Sequence, residues 1–473
     1  MDTQVIVVGA GPVGLMLAGE LRLGGARVLV VDRLAEPTTE SRASTLHART
    51  MEIFDQRGLL SYVGTPPNDR MGHFGGIPLD LGHLPTRYPG QWKVGQTRVE
   101  EFLAEWATGL GAEIRRAHEL VDLTAFDDHV RVRLATDAGP VELTCAYLVG
   151  CDGEDSTVRR LAGIDFPGRD ATRELLRADV AGIDIPNRRF QRLPNGLAIS
   201  ATRDGVTRVM VTEFDREAPR RRTEPSFEDV CVTWKRVTGE DISGGTPLWL
   251  NAFGNASRQA ARYRAGRVLL AGDAAHLQLP AGGQAINLGI QDAVNLGWKL
   301  AAEVSGHAPP GLLDTYHTER HAVGRRVLAN IETQAYLLLG DSTVEPVRTL
   351  LAELITRPSV RDHLAATIAG LDVRYGDDPH PLVGARVPYA DLCRKISTIN
   401  LLHSGRGILL DFSASLARHA WLRATVSDRV TVAPSLSRFE GLDTILVRPD
   451  GYVAWVSSTM DDPRPALHRW FGR

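Results

Sequence analysis

The chain opens on an unbroken β-branched run, Val5-Ile6-Val7-Val8, which predicts a strand buried on both faces. Leu15, Leu17, Ala18, Leu21 and Leu23 follow at helical spacing and stop at Gly24-Gly25. Residues 27–31 form a second apolar run, closed by Asp32. Met51, Ile53, Phe54, Leu59 and Leu60 mark another helix, and Val99, Phe102, Leu103, Trp106 and Leu110 give one apolar face to a helix over 97–110. Strands are predicted at 147–151 and 267–271, and a long helix at 288–304. From 173 to 251 the pattern changes to alternating pieces, 196–200 and 207–212 among them, which predict a separate sheet. A Pro/Gly-rich stretch at 375–381 precedes strand-like runs at 407–411, 443–447 and 452–456. The whole predicts an α/β chain: a Rossmann-like unit, an inserted β-sheet and a C-terminal unit. The first unit is expected at 1–175 plus 260–375, with 70–95 on its substrate side, the second at 176–259 and the third at 385–473.

Composition narrows the class. The 473 residues are 43% apolar and 23% charged, ordinary globular values. A formal net charge of −3 offers no electrostatic case for nucleic acid or an anionic membrane, so neither is an expected partner. Only four of the 54 basic residues are lysines (Lys93, Lys235, Lys299, Lys395). Four cysteines without a C-x-x-C pair argue against a zinc ribbon, a dithiol site and a disulfide framework. No apolar run is long enough for a transmembrane helix, and the apolar N-terminus lacks a basic n-region, so a cytoplasmic protein is expected. His317 and His321 have zinc-ligand spacing, but Thr-Glu-Arg between them fits no zinc motif; they read as structural, and no metal is expected. His276 reads as a packing or helix-start residue, and Arg220-Arg221-Arg222 as a solvated loop.

The chemistry begins at Gly9-Ala10-Gly11-Pro12-Val13-Gly14. Strand, G-x-G-x-x-G, helix, strand and acid within about thirty residues is the dinucleotide fingerprint in full context. Its glycines allow a tight turn and close approach of a pyrophosphate, which the helix N-terminus favours with N–H donors. Asp32 suits a ribose diol and disfavours a 2′-phosphate, which Arg33 offsets. The fingerprint leaves FAD and NAD(P) open. Arg42 stands just before a helix, where a guanidinium reaches a phosphate or a flavin edge; taken alone it is an ordinary surface arginine. Two later motifs each follow a strand: Asp152-Gly153-Glu154-Asp155-Ser156-Thr157-Val158-Arg159, and Gly272-Asp273-Ala274-Ala275-His276. The second leads into a glycine-rich loop, Leu279 to Asn287, that opens the long helix. A carboxylate at a strand end holds a polyol hydroxyl, and loop N–H groups suit a polarised ring edge.

With these three motifs in this order, the sequence resembles the single-component FAD-dependent aromatic hydroxylases, the p-hydroxybenzoate hydroxylase family. It is most similar to the branch acting on angucycline, anthracycline and tetracycline polyketides, and similar also to rifampicin monooxygenases. Gly72-His73-Phe74-Gly75-Gly76-Ile77-Pro78, Ala252-Phe253-Gly254-Asn255-Ala256, Tyr316-His317-Thr318-Glu319-Arg320-His321 and residues 446–455 carry the closer likeness, which spans nearly the whole chain.

The resemblance implies that Gly9, Gly11, Val13 and Gly14 hold the FAD pyrophosphate, with Asp32 on the adenosine ribose and Arg33 beside it. Arg42 and Gln96 would contact the phosphates and ribityl chain, Val121 the adenine side, and Asp273 a ribityl hydroxyl or phosphate. Gly283, Ile286 and Asn287 would lie along the isoalloxazine, while Asp152 and Arg159 would brace the flavin unit and a transient nicotinamide path. A C-terminal thioredoxin-like domain without redox cysteines is implied, Cys393 alone being unable to do dithiol chemistry. One departure stands out. The family loop reads G-G-Q-G-x-N, and here Ala285 replaces the last glycine. A required positive φ would cost about 1 kcal/mol or more; the reading favoured is a negative φ and a harmless methyl.

The implied activity is that of a monooxygenase. NADPH (or NADH) reduces FAD, reduced flavin adds O2 to give a C4a-hydroperoxide, and that species hydroxylates an activated phenol of a polycyclic polyketide in antibiotic biosynthesis. No second strand–G-x-G-x-x-G–helix unit is present, which fits transient nicotinamide binding. The loop bearing Pro280, Gly283 and Asn287 is the candidate for stabilising the oxygen adduct; no general base is identified, and a partly ionised phenol would need none. His73, Phe74, Trp92, Phe190, Met210, Trp249 and Phe253 are the substrate-side candidates. The alternatives are Baeyer–Villiger oxygenation of a ring ketone, hydroxylating inactivation of an aromatic antibiotic, and a non-oxygenating flavoprotein. A small-molecule substrate and a monomer or homodimer are expected.

Overall fold

The computed structural model describes all residues except 40–42, 215, 219–224, 394–395, 435–438, 440 and 473. Arg42 and the Arg220-Arg221-Arg222 cluster lie outside the described residues, as does the side chain of Cys393.

The β-branched opening run forms the strand Thr3–Val8 at the centre of an eight-stranded sheet. Parallel neighbours flank it: Val28–Val31 on one side, then Glu113–Arg115, and Val141–Gly150 on the other, then Val268–Leu270. Val5, Ile6 and Val7 are fully buried, as continuous apolar strands between helical layers must be. The helices Pro12–Leu23, Gln96–Gly109 and Gln284–Val304 join the same core. Gln284–Val304 starts four residues earlier than the apolar spacing predicts, because Gly283 caps it in a left-handed conformation and the polar first turn is already helical.

The middle segment forms a five-stranded antiparallel sheet in the order Arg188–Leu193, Gly196–Arg203, Val206–Glu213, Glu174–Ala181, Thr246–Gly254. Alternation sorts its faces. Leu176, Ala178 and Val180 pack with Val209, Val211 and Trp234 under the helix Phe227–Thr238. Leu175 and Arg177, with Ile199, Met210 and Phe253, face the loop that opens the helix Gln284–Val304. Ser226 caps that helix in a reciprocal pair with Asp229.

The last hundred residues carry a four-stranded mixed sheet, Val430–Pro434, Gly407–Asp411, Thr444–Val447, Val453–Ser457, whose first pair alone is parallel. A buried charge cluster ties this part to the long helices. Arg448 bonds Glu319 (2.6 Å), which also takes Lys299 (2.7 Å) and Asn295 (2.7 Å). Asp450 accepts from Trp298 at 3.2 Å. Among the described residues no helix is long and apolar enough to cross a membrane.

Candidate functional site

Three segments far apart in sequence meet in close contact at the C-terminal end of the central strands. Gly9 sits at φ +104°, and a Cβ built on it would lie 2.4 Å from the carbonyl oxygen of Cys151, at the head of the D-G motif. A Cβ on Gly14 would lie 2.0 Å from Gly9 O. Val13 packs against Gly272, whose own Cβ would meet it at 2.9 Å, so the turn bearing Asp273 presses on the first helix. Asp273 is exposed on that turn. Gly11 differs: a Cβ there would meet nothing within 4 Å. The first helix begins at Gly11 with no side-chain cap. A turn packed tight behind and open in front, above uncapped helix N–H groups, fits a pyrophosphate.

Asp32 straps this turn to the second strand. Its Oδ2 accepts from Ala10 N at 2.6 Å and its Oδ1 from Leu34 N at 2.9 Å, while Arg33 beside it is exposed. Gln96 accepts from Ala43 N (3.2 Å) and donates to Glu100 (2.9 Å). Val121 is exposed on the strand Glu119–Ala125. Asp152 works inside the protein: it accepts from Ser156 Oγ (2.6 Å) and Val158 N (3.0 Å), and burial raises its carboxyl pKa. Arg159 donates to Ala274 O (2.9 Å), binding the D-G helix to the G-D turn, and stacks on Phe166.

The loop from Pro280 to Gly283 turns through two left-handed glycines, Gly282 (φ +67°) and Gly283 (φ +69°). His47 holds it by donating from Nε2 to Gly282 O at 2.7 Å. Burial lowers the His47 pKa to about 4, which keeps the ring neutral. Asn287 uses its whole amide on the protein. It accepts from His47 N (2.8 Å) and Thr50 Oγ1 (2.6 Å) and donates to Thr45 O (3.0 Å) and Gly283 O (2.7 Å). Ala285 lies inside the helix Gln284–Val304 and is absent from the positive-φ residues, so a methyl is compatible with its backbone. His276 is fully buried on Asp292 (2.7 Å), which also binds Arg320 (2.7 Å). Burial raises the Asp292 carboxyl, but Arg320 and His276 outweigh it and hold it below its ordinary range. His317 and His321 pack on Tyr263.

Between this loop and the inner face of the middle sheet lies a cavity of about 540 Å³. His73, Phe190, Met210 and Phe253 line it, as do Pro280, Gly283 and Ile286. The His73 ring packs tilted against Phe190, centroids 3.9 Å apart, and burial with Arg189 nearby lowers its pKa to about 3. Three substrate-side candidates are not brought to the cavity. Phe74 is buried with Ile77, Leu79 and Leu337. Trp92 turns away to donate to Tyr88 O (3.2 Å), leaving its chain neighbours Gln91 and Lys93 on the wall. Trp249 lies under the Arg177 guanidinium at 4.5 Å instead of lining the space. The polar wall residues Asp69, Lys93, Arg177, Arg189 and Arg208 are not among the residues expected from the sequence. The signal available for Arg177 and Arg208 was their place in alternating strands, opposite the apolar positions. A second cleft of about 580 Å³, between Glu52, Asp55 and Tyr389, is lined by none of the motif residues, and its two carboxylates are engaged by Arg49, Arg386, Arg87 and Tyr88.

A tight glycine turn after the first strand, together with a cavity beside a glycine-rich loop, fits a flavin-dependent oxidoreductase. The family described as "FAD binding domain" matches residues 2–331, and "Aromatic-ring hydroxylase, C-terminal" matches 380–473. The chain belongs to this family of FAD-binding aromatic-ring hydroxylases, and it is an FAD-dependent monooxygenase using NAD(P)H and O2. It is 44% identical to the 12-dehydrotetracycline 5-monooxygenase/anhydrotetracycline 6-monooxygenase of Streptomyces rimosus, over 100% of this chain and 99% of that protein. Identity with the rifampicin monooxygenase of Streptomyces venezuelae is 42%, over 99% and 98%. The crystal structure of CabE, an aromatic hydroxylase from angucycline biosynthesis, superposes with a TM-score of 0.95 at 48% identity, covering 100% of this chain and 99% of that one.

Proposed function

We propose that this enzyme hydroxylates a polycyclic aromatic polyketide in antibiotic biosynthesis, in the cytoplasm, as a monomer or homodimer. The observation that carries the reading is the cavity of about 540 Å³, walled by Phe190, Met210, Phe253, Leu175 and Ile199 and floored by the flavin-side loop. The related tetracycline and angucycline enzymes support it.

When bound and reduced by NAD(P)H, FAD supplies the activation of O2 and the transfer of one oxygen atom. The protein binds, orients and excludes water. In this reading Gly9, Gly11, Val13 and Gly14 hold the pyrophosphate, Asp32 with Arg33 the adenosine ribose, and Val121 the adenine side. Gln96 and Arg42 serve the phosphates and ribityl chain, and Asp273 a ribityl hydroxyl or phosphate. Asp152 and Arg159 brace the turn. Pro280, Gly283 and Ile286 present the loop to the ring, and Asn287 keeps that loop in place. The parts divide as a Rossmann-like FAD unit, 1–175 plus 260–375; a substrate-side sheet, 176–259; and a thioredoxin-like unit, 385–473. Its strand order, one parallel pair and an antiparallel hairpin, supports the last assignment.

The test is NADPH oxidation in air by the FAD-loaded enzyme with a panel of angucyclinones and anthracyclinones. Strong stimulation by one compound, with one atom of labelled O2 in a product of unchanged ring skeleton, is expected. A lactone product would move the reaction to Baeyer–Villiger oxygenation, and no response to any compound would sink the polyketide assignment.

A further inference from the structure

Lysine is rare in this chain, yet one of its four lysines, Lys93, stands in the cavity wall. Its Nζ lies 3.3 Å from Thr45 Oγ1 and 3.3 Å from Gln91 Oε1, both neutral acceptors. Thr45 in turn packs against Gly283, so the ammonium sits beside the loop that opens the long helix. The charged and titratable groups facing it are Asp69, Arg189, His47 and His73. Asp69 is engaged by Arg189 at 3.0 Å. Both histidines are held neutral by burial.

Most of the other wall cations are paired with carboxylates, as Arg189 is with Asp69. Arg208 pairs with Asp179 (2.7 Å) and Arg188 with Glu240 (2.5 Å), while Arg177 bonds Asn251 (3.2 Å) and stacks on Trp249 and Phe253. Lys93 has only neutral oxygens, and among the described residues it makes no ion pair. Burial lowers its pKa, the mark of a charge poorly compensated by its surroundings. A part-buried cation in that setting favours an anionic guest, because the guest restores what desolvation removed. A lysine ammonium suits one oxygen: it is a compact point charge without the guanidinium's two-pronged geometry.

We propose that Lys93 receives an ionised hydroxyl of the aromatic substrate, so that the cavity selects the phenolate of a hydroxylated polycyclic ring. This rests on the polyketide reading above. The phenol releases its proton to solvent, Lys93 keeps its own protons and donates one N–H···O hydrogen bond, and no covalent bond changes at the lysine. The ionised ring is the more electron-rich one, so the same contact both positions and activates the carbon to be oxidised. A separate general base is then unnecessary.

The experiment uses the FAD-loaded enzyme with alizarin, a dihydroxylated anthraquinone whose visible absorption reports its ionisation, beside its dimethyl ether, which does not ionise. Wild-type protein is expected to lower the ionisation midpoint of bound alizarin by about one pH unit, a tenfold preference for the anion. Lys93→Met should abolish that shift while binding the dimethyl ether as wild type does, which shows the cavity intact. Lys93→Arg should retain part of the shift, and Lys93→Gln serves the same comparison should the methionine variant not hold FAD. With both dyes bound, an equal shift in wild type and Lys93→Met, or none in wild type, overturns the assignment of Lys93 alone. If wild-type protein binds neither dye, the polyketide reading falls and this proposal with it.

Discussion

The glycine turn after the first strand and the cavity wall are built from different materials. At the turn, Gly9, Cys151 and Gly14 approach so closely that side chains are excluded, and the surface offered is backbone. At the wall the surface is side chain, and arginines such as Arg177, Arg188 and Arg208 are each fixed by a partner on the same sheet or its flanking segments. Backbone packed to van der Waals contact tolerates almost no substitution. A wall of side chains tolerates many, provided the charges stay paired.

The sharpest way to break this comparison is at the glycines. Gly14→Ala puts a methyl into Gly9 O with no room to relax, so the variant is expected to purify without flavin absorbance or to be insoluble. Gly11→Ala meets no protein atom, so it should fold normally yet bind FAD about tenfold or more weakly, read by flavin fluorescence on titration. Wild-type affinity in Gly11→Ala would place the pyrophosphate elsewhere.

Next in size is the buried trio behind the G-D turn. Asp292→Ala leaves Arg320 and His276 without their carboxylate in a fully buried site and should destabilise by about 3–5 kcal/mol, seen as a much lower melting temperature. A melting temperature within a degree of wild type would show that this region is not the rigid half.

A pH series sharpens the comparison at the loop itself. His47 is neutral in the fold, with a pKa near 4 against 6.5 in the unfolded chain. The unfolded state therefore takes up the proton first. The stability in question is fully present above pH 6.5 and is lost as pH falls toward about 4, amounting to about 2 kcal/mol at about pH 5. Urea unfolding of His47→Gln should show a lower stability at neutral pH and a flatter acid limb. An acid limb of unchanged slope would assign the loss to other groups.

The smallest effect is expected at Ala285. Since it is already helical, Ala285→Gly should cost under about 1 kcal/mol and leave FAD affinity unchanged. A many-fold gain in flavin-dependent turnover would mean that the methyl crowds the ring after all.

Local chemistry determined much of this protein in advance. The run Val5 to Val8, the glycines after it and Asp32 specify a strand, a turn and an acid within one short stretch, so periodicity and residue type suffice to read them. The same holds for the helix Gln96–Gly109, whose apolar face is complete in sequence. Tertiary structure decided the rest. Whether Trp92 or Lys93 meets the cavity depends on the register of the pair Leu46 with Trp92, and a shift of one residue exchanges the faces. Phe74 and Trp249 have the composition of a substrate wall but are claimed by neighbours hundreds of residues away or across the sheet, Leu337 and Arg177. Asn287, placed along the flavin from the resemblance, is occupied by Thr45, His47 and Thr50, a set that no spacing in the chain announces. Contacts between segments so distant in sequence are set by packing of the completed core, which selects one arrangement among many that local propensity allows equally.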